Sequence, residues 1–269
     1  IDTTYTVDWT CEDKRGRIVE GKEPHLRLHA LTSCDEVALA SGDPPQNRPN
    51  APRRYRYLIQ SRLGEDMQSQ FITVLEPYDR DPIIDRVRAL DVEHNADPNA
   101  VAAVAVELMN GTTDILISCE EPTAVTVEGG ITFEGRFGMV RSEGGKVELM
   151  RMAHARFLRV GDVELTCEVP AYSGKVVRVD ASDPQDNQVY LEPGLPQDAG
   201  LAGGVIHFRN EVPYDTSYDV KAVGDGWIST GRITTIAGFN DPEDFDSGYR
   251  YLVNPGDGYA VPVVVRLDR

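Results

Sequence analysis

Tyrosine and arginine alternate in the segment Arg54-Tyr55-Arg56-Tyr57, and this spacing could bind a sugar. In a β-strand the two tyrosines share one face and the two arginines share the other. Tyrosine rings stack on apolar C–H surfaces, and arginine binds carboxylates in a bidentate manner. The segment is therefore a candidate glycan-binding site. The alternative is that the tyrosines belong to the core and only the arginines face solvent.

Three further aromatic residues are candidates for the same chemistry. Trp9 lies near the start of the sequence, where its ring would be exposed if a preceding domain were removed. Trp227 and Tyr249 form a second candidate set in an aromatic-rich C-terminal region. The cores of β-sandwiches also contain many aromatic residues, so core packing is the alternative for each.

An acidic segment near the C-terminus is a candidate metal site. Asp241, Glu243, Asp244 and Asp246 place four carboxylates at short spacing, and oxygen ligands are those that calcium prefers. The segment lacks the glycine and the terminal glutamate of an EF-hand. A solvated turn is therefore the alternative, and the sequence suggests no cofactor other than calcium.

The five histidines are the natural candidates for acid–base chemistry. His25 and His29 should share one strand face, where they could bracket a metal ion or a sugar, although no third ligand is evident. His207 ends an apolar strand, His94 precedes a turn, and His154 lies among arginines. None has the setting of an established base, and no P-loop, dinucleotide, zinc or G-x-S-x-G motif occurs. No catalytic residue is predicted.

The elements that must position these residues are β-strands. Period-2 alternation and β-branched runs predict twenty strands between residues 4 and 267, separated by turn signals such as Asn110-Gly111 and Gly144-Gly145. Only the stretch 99–109 resembles a helix, and its Val-Ala-Val alternation favours a strand. An interruption at 168–174 predicts a large antiparallel β-sandwich over 1–168 and a smaller one over 169–269. The polar segment 42–52 is long enough to be functional or mobile.

Composition limits the partners that the chain can bind. Its 27 basic and 44 acidic residues give a net charge of −17, which opposes binding to nucleic acid or to an anionic membrane. The same charge favours a neutral or weakly acidic glycan over a strongly anionic one. No apolar run is long enough for a spanning helix, and no signal peptide is visible.

The four cysteines match neither a zinc pattern nor a disulfide scaffold, because they are far apart. Buried free thiols are the expectation, with one disulfide as the alternative if the protein is exported. The residues concerned are Cys11, Cys34, Cys119 and Cys167.

Several β-rich segments together indicate a family. In order they read FITVLEPY (71–78), VELMNGTTDILI (106–117), ITFEGRF (131–137), WISTGRITTI (227–236), GFNDPEDF (238–245) and NPGDGY (254–259). This order and spacing resemble the C-terminal β-sheet region of heparinase II/III-like polysaccharide lyases, from about residue 26 to the end.

The resemblance implies a function and a context for the chain. It implies a bacterial, secreted or periplasmic protein whose partners are a polysaccharide and the helical toroid domain that carries most of the catalytic apparatus. Nothing in this sequence resembles that toroid, so a non-catalytic, glycan-binding accessory module is expected. One alternative is a substrate-contacting part of an active lyase that performs β-elimination on uronate glycans. The other is a structural interaction module without glycan affinity.

Overall fold

A computed structural model describes residues 4–11, 13, 16–43, 54–210 and 216–269. These residues form 22 β-strands in antiparallel sheets and contain no helix, so none of them belongs to a helix that could cross a membrane. The predicted all-β, antiparallel, sandwich-type fold is confirmed. The part of segment 42–52 that follows residue 43 lies outside the described residues.

The strands, in chain order, are β1 Tyr5–Thr10, β2 Pro24–Ala30, β3 Glu36–Gly42, β4 Tyr55–Ser61, β5 Thr73–Asp79, β6 Ile84–Ala89, β7 Val92–Glu93, β8 Val101–Leu108, β9 Thr112–Val127, β10 Ile131–Glu143, β11 Lys146–Val160, β12 Val163–Thr166, β13 Ala171–Asp180, β14 Asn187–Glu192, β15 Val205–Arg209, β16 Thr216–Asp219, β17 Ala222–Val223, β18 Trp227–Gly231, β19 Ile236–Asp241, β20 Asp244–Tyr251, β21 Gly258–Pro262 and β22 Val264–Asp268.

The strands pair into five sheets within the described ranges. A three-stranded sheet has the order β1-β2-β5, and β3 and β4 form a separate hairpin. An eight-stranded sheet has the order β12-β11-β10-β9-β8-β6, with β22 paired to β11 and β7 to β9. A seven-stranded sheet has the order β16-β15-β21-β13-β14-β18-β17, and β19 and β20 form a second hairpin.

The chain divides into two compact units, and the division differs from the predicted one after residue 168. The first unit comprises Ile1–Glu120, Val127–Gly129 and Met139–Glu148, and the second comprises Glu121–Thr126, Gly130–Gly138 and Leu149–Arg269. Strands β9, β10 and β11 each contribute residues to both units. A single cut in the sequence therefore cannot separate them.

Each unit has its own core. In the first unit Val74 of β5 packs against Ile84 of β6 and against Val104 and Val106 of β8, so the three-stranded sheet covers β6 and β8. In the second unit the core lies mainly on the seven-stranded sheet, where alternate side chains are buried. Its fully buried members include Val176, Val189, Ile206, Phe208, Val220, Ile228, Val253 and Val261.

Each of the three long strands β9, β10 and β11 is unbroken, whereas alternation in the sequence predicts two strands in its place: 114–118 and 123–127 for β9, 130–134 and 137–142 for β10, and 146–153 and 157–160 for β11. At Gly135 of β10 a side chain cannot be accommodated, because a Cβ would lie 2.1 Å from the Cβ of Ala155 and 2.9 Å from the carbonyl oxygen of His154. His154 itself has a φ of 50° within β11. The glycine and the irregular residue lie on neighbouring strands, and both strands continue past them.

The four cysteines are free thiols, and no disulfide joins any of them. Cys34 and Cys119 are buried as predicted, whereas Cys11 is exposed and Cys167 is half-buried. Burial also raises the pKa of Cys119. Because the thiolate is the reactive form, the four thiols should react at different rates in these environments.

We expect Cys11 to react rapidly with a disulfide reagent such as Ellman's reagent and Cys119 to react only when the protein unfolds. The measurement is thiol release followed with time in native buffer and then in denaturant. Cys11→Ser should remove most of the fast phase, and Cys119→Ser should leave it intact. A fast phase that disappears in the Cys119 variant would contradict the described burial.

Candidate functional site

Tyr55 and Tyr57 lie on an exposed face of the β3–β4 hairpin. Antiparallel pairing places Tyr55 opposite Gly42 and Tyr57 opposite Ala40. The two residues are 44% and 45% exposed, and their ring centroids are 6.4 Å apart with planes at 84°. These tyrosines are therefore not core residues, and they form an exposed corner of two rings that we call the tyrosine corner.

Small residues on β3 leave room for this corner. The ring of Tyr57 lies so close to Gly42 that a Cβ there would be 2.8 Å from ring atom Cε2. Ala38, opposite the exposed Ile59, continues the row of small residues along the same face. The absence of a side chain at Gly42 thus sets where the Tyr57 ring lies.

Arg54 and Arg56 do not contribute to the tyrosine corner. Arg56 alternates with the tyrosines and lies opposite Ser41, whose hydroxyl accepts a hydrogen bond from Nη1 at 3.2 Å. The Nε of Arg54 is 3.6 Å from the carboxylate of Asp43, and both side chains are largely exposed. The structure separates tyrosines and arginines, and a ligand on the corner would lack support from Arg56.

Trp9 and Trp227 are half-buried rather than open to solvent. Trp9 lies opposite Leu26 in the β1–β2 register. The ring of Trp227 covers Gly224, where a Cβ would be 2.0 Å from ring atom Cε2. Both side chains are less exposed than those of Tyr55 and Tyr57, which makes them weaker candidates than the tyrosine corner.

Tyr249 belongs to an exposed aromatic trio on the β19–β20 hairpin. It is paired in register with Phe239, and the two ring centroids are 5.4 Å apart. Phe245 lies 4.6 Å from Phe239, and all three side chains are exposed. The sequence reasoning missed the two phenylalanines because the segment around them read as an acidic loop.

The four candidate calcium ligands lie at the tip of the same hairpin. Asp241 is paired with Asp244 across the turn, and its Oδ1 accepts the backbone N–H of Glu243 at 2.9 Å. The Oδ1 of Asp244 accepts the backbone N–H of Asp246 at 3.1 Å. Among the described residues no group of three or more His, Cys, Asp or Glu side chains could hold a metal ion. The carboxylates order a turn, and the structure gives the predicted calcium site no support.

A cluster of ionisable side chains joins β1, β2 and β5. Asp8 accepts a hydrogen bond from Arg27 Nε at 2.9 Å, and its other oxygen lies 3.0 Å from His25 Nδ1. The Tyr78 hydroxyl donates to Asp8 and accepts from Arg27 Nη2 at 3.1 Å. The rings of His25 and Tyr78 stack at 4.9 Å. Four side chains from three strands therefore form one network.

Glu76 extends this network into the protein interior. Its side chain has no exposed surface. Oε1 accepts the backbone N–H groups of Ile83 and Ile84 at 2.7 and 2.8 Å, and Oε2 lies 2.9 Å from His29 Nε2. His25 and His29 share a face as predicted, and each has a carboxylate partner, Asp8 for His25 and Glu76 for His29.

The pKa shifts in the network favour the charged form of Asp8 and the neutral form of Tyr78. Burial opposes ionisation of Asp8, but hydrogen bonds from Tyr78, His25 and Arg27 lower its pKa to about 2. The hydrogen bond to Asp8, followed by burial, raises the pKa of Tyr78, which stays a protonated donor at neutral pH. Because its carboxylates accept hydrogen bonds from within the network, its clearest role is to join the strands.

Asp8→Asn should lower the free energy of unfolding near pH 6 by about 1 kcal/mol, after discounting for the partial exposure of the carboxylate. The folded pKa of about 2 lies below the ordinary 3.8, so the stabilisation is complete above pH 3.8 and is lost as the pH falls towards 2. Urea unfolding measures the free energy of unfolding of both proteins at pH 6 and at pH 2.5, and Asp85→Asn is the control. If Asp8→Asn lost as much free energy of unfolding between pH 6 and pH 2.5 as the wild type does, the result would contradict the network.

Comparison of the chain with protein-family models, with curated proteins and with solved structures found no match.

Proposed function

We propose that this chain is a glycan-binding, accessory β-sandwich module and that the tyrosine corner is its binding site. The observation that carries the proposal is the exposure of two tyrosine rings over a row of small residues. Large aromatic side chains are normally buried, so two adjacent exposed rings call for a ligand.

A sugar fits this corner by shape and by chemistry. A pyranose has an apolar C–H face that can stack on the Tyr57 ring, and its edge would then meet the perpendicular Tyr55 ring. Each phenol adds one hydroxyl that can donate to or accept from a sugar hydroxyl. Tyrosine also supplies a large contact area at a low cost in side-chain entropy. The corner therefore combines one ring for stacking, a second ring for edge contact and two hydrogen-bonding groups.

The charge of the chain favours a neutral or weakly acidic glycan at this site. The net charge is −17, and the arginines nearest the corner point to the other face or lie beside Asp43. Stacking rather than ionic attraction must then supply the binding energy. Since an open corner buries little ligand surface, affinities should be weak.

The wider context of the proposal depends on the resemblance to heparinase II/III-like lyases alone. In that context the chain would assist a polysaccharide lyase, with a polysaccharide and a helical toroid domain as partners, in a secreted or periplasmic protein. The tyrosine corner would hold the glycan while a catalytic domain acts on it.

We expect Tyr57→Ala to weaken oligosaccharide binding about three- to tenfold, since stacking adds about 0.5–1.5 kcal/mol beyond area burial and 1.4 kcal/mol is tenfold in Kd. Gly42→Ala should also weaken binding without lowering stability, because the Cβ would displace a ring that can swing away. Leu39→Ala is the matched control, since Leu39 is exposed on the opposite face of the same hairpin. Calorimetry with neutral and weakly acidic oligosaccharides measures these affinities.

Two results would overturn the proposal. One is the absence of binding by any oligosaccharide at millimolar concentration, and the other is equal binding by Tyr55→Ala, Tyr57→Ala and the wild type. Binding to a neutral glycan should change little with salt, because exposed charges are what salt screens. An assay for unsaturated uronate on the same glycans separates binding from lyase activity.

A further inference from the structure

The aromatic trio of the β19–β20 hairpin, formed by Phe239, Phe245 and Tyr249, is a surface that the fold leaves uncovered. The three residues are 39%, 66% and 49% exposed, respectively. The ring centroid of Phe239 is 4.6 Å from that of Phe245 and 5.4 Å from that of Tyr249. None of the three belongs to the described core of the second unit or to the side chains that pack against that core.

An irregular register brings Phe245 into contact with Phe239. Phe239 is paired with Tyr249 and Asp241 with Asp244, so four residues of β20 lie opposite one residue of β19 between these pairs. The longer strand must therefore bulge, and a bulge changes the direction of side chains relative to regular alternation. The Phe245 ring reaches Phe239 in this way and completes the trio.

Packing within the hairpin explains the contacts between the rings but not their exposure. Aromatic pairs across strands stabilise a sheet, and a two-stranded hairpin alone is marginally stable. Within the described residues β19 and β20 pair only with each other. The hairpin therefore keeps an apolar area in water that a partner could cover, and exposed apolar patches of this kind mark interaction sites.

Four carboxylates lie at the end of the hairpin that carries Phe245. Asp244 and Asp246 flank Phe245 in the sequence, and Asp241 and Glu243 precede them. In the described part of the chain no basic side chain forms an ion pair with any of the four. Asp241 and Asp244 are also paired across the strands, where like charges are unfavourable. A cation from a partner would relieve this repulsion.

The arginine of the hairpin does not offset these charges on the side of the trio. Arg250 is paired with Gly238, directly beside the Phe239–Tyr249 pair. Alternation therefore places Arg250 on the opposite face of the hairpin from the trio. Segment 236–251 contains four acidic residues and this one basic residue. The trio thus combines exposed rings with a local excess of negative charge.

Charge restricts what can cover the aromatic trio. A second copy of the chain would bring a second acidic hairpin and a second net charge of −17, and nucleic acid or an anionic membrane would be repelled in the same way. A neutral glycan could stack on the rings, but the carboxylates would add little to its binding. A protein segment that is both cationic and apolar matches the rings and the carboxylates together.

We propose that the β19–β20 hairpin binds a segment of a partner protein in which a lysine or arginine adjoins an apolar side chain. The apolar side chain covers the aromatic trio, and the cation meets the carboxylates at the end of the hairpin. An arginine can in addition stack its guanidinium on a ring face. This site lies on another hairpin and in another unit than the tyrosine corner, so it does not depend on the glycan proposal.

Synthetic peptides are the probes for this site. A peptide in which arginine alternates with leucine is compared with two peptides of equal length, one that alternates glutamate with leucine and one that alternates arginine with serine. Calorimetry with the full chain should show the tightest binding for the arginine–leucine peptide, and NMR should show that this peptide shifts the ring protons of the trio. Equal affinity for the three peptides, or no binding at millimolar concentration, would overturn the proposal.

Variants distinguish the hairpin from the general negative charge of the chain. Phe245→Ala should weaken binding of the arginine–leucine peptide about two- to fivefold, as the loss of an exposed cation–π contact predicts. Asp244→Asn should weaken binding and reduce its salt dependence, while an amide oxygen can still accept the backbone N–H of Asp246. Asp183→Asn is the matched control, because Asp183 is an exposed residue of the same unit and accepts the N–H of Gln185 in the same way.

The proposal fails if Asp244→Asn and Asp183→Asn bind the peptide equally well, or if Phe245→Ala binds it as tightly as the wild type. Two further measurements test the other occupants. Sedimentation should show a monomer at all concentrations, and self-association that Phe245→Ala abolishes would assign the trio to a second copy instead. A neutral oligosaccharide should leave the ring signals of the trio unchanged, and one that shifts them and displaces the peptide would assign the trio to a glycan.

Discussion

A carboxylate without solvent contact must be fully hydrogen-bonded, and in this chain that requirement falls on Glu76. An isolated buried charge costs several kcal/mol, so the fold is held to the arrangement that supplies its partners. Two of them are the backbone N–H groups of Ile83 and Ile84, at the point where the chain enters β6. The third is His29 on β2. One side chain thereby fixes where β5, β2 and β6 meet.

The rest of the three-stranded sheet follows from this arrangement. His29 and Arg27 lie on the same face of β2, and Arg27 extends from Glu76 at 3.9 Å to Asp8 on β1. Removing the Glu76 carboxylate would leave two backbone donors without this partner, at about 1–3 kcal/mol for the buried N–H of Ile84 and less for the part-buried N–H of Ile83. Besides its backbone pairing with β2, the edge strand β1 is then held by charged side chains whose positions depend on a residue two strands away.

The same criterion separates structural clusters from binding sites. The carboxylates of Asp8 and Glu76 accept several hydrogen bonds within their own network, and this leaves them little capacity for a ligand. The tyrosine corner is different, because it exposes two adjacent tyrosine side chains to solvent. A place for a ligand is marked by side chains that remain accessible, rather than by the number of ionisable groups.

Alternation made much of the fold predictable, since one face of each strand packs on a core. It placed Tyr55 and Arg56 on opposite faces and His25 and His29 on one face, as the structure shows. It did not predict that β9, β10 and β11 continue through apparent breaks. A glycine such as Gly135 reads as a turn signal, and only the partner strand shows that it makes room for Ala155.

Pairing across strands also explains the other differences. The acidic segment read as a loop because its turn residues outnumber its strand residues, yet Phe239 and Tyr249 pair across it as a hairpin. The network partners Asp8, Glu76 and Tyr78 are separated by up to 70 positions in the sequence. No local pattern relates Asp8 to Glu76 and Tyr78, because their proximity comes from the β1-β2-β5 order. Local spacing therefore predicts which residues share one face of a strand. The order of the strands in the sheet decides which of these faces come together.

The irregularity at His154 shows how neighbouring residues maintain an unusual backbone conformation within a strand. A positive φ costs a non-glycine residue of order 1 kcal/mol, and glycine or asparagine would adopt it more readily. This conformation persists because Gly135 leaves space opposite it and Val263 accepts its N–H. Neither residue is near His154 in the sequence, so this departure from the β region is maintained by strand packing and not by the local sequence.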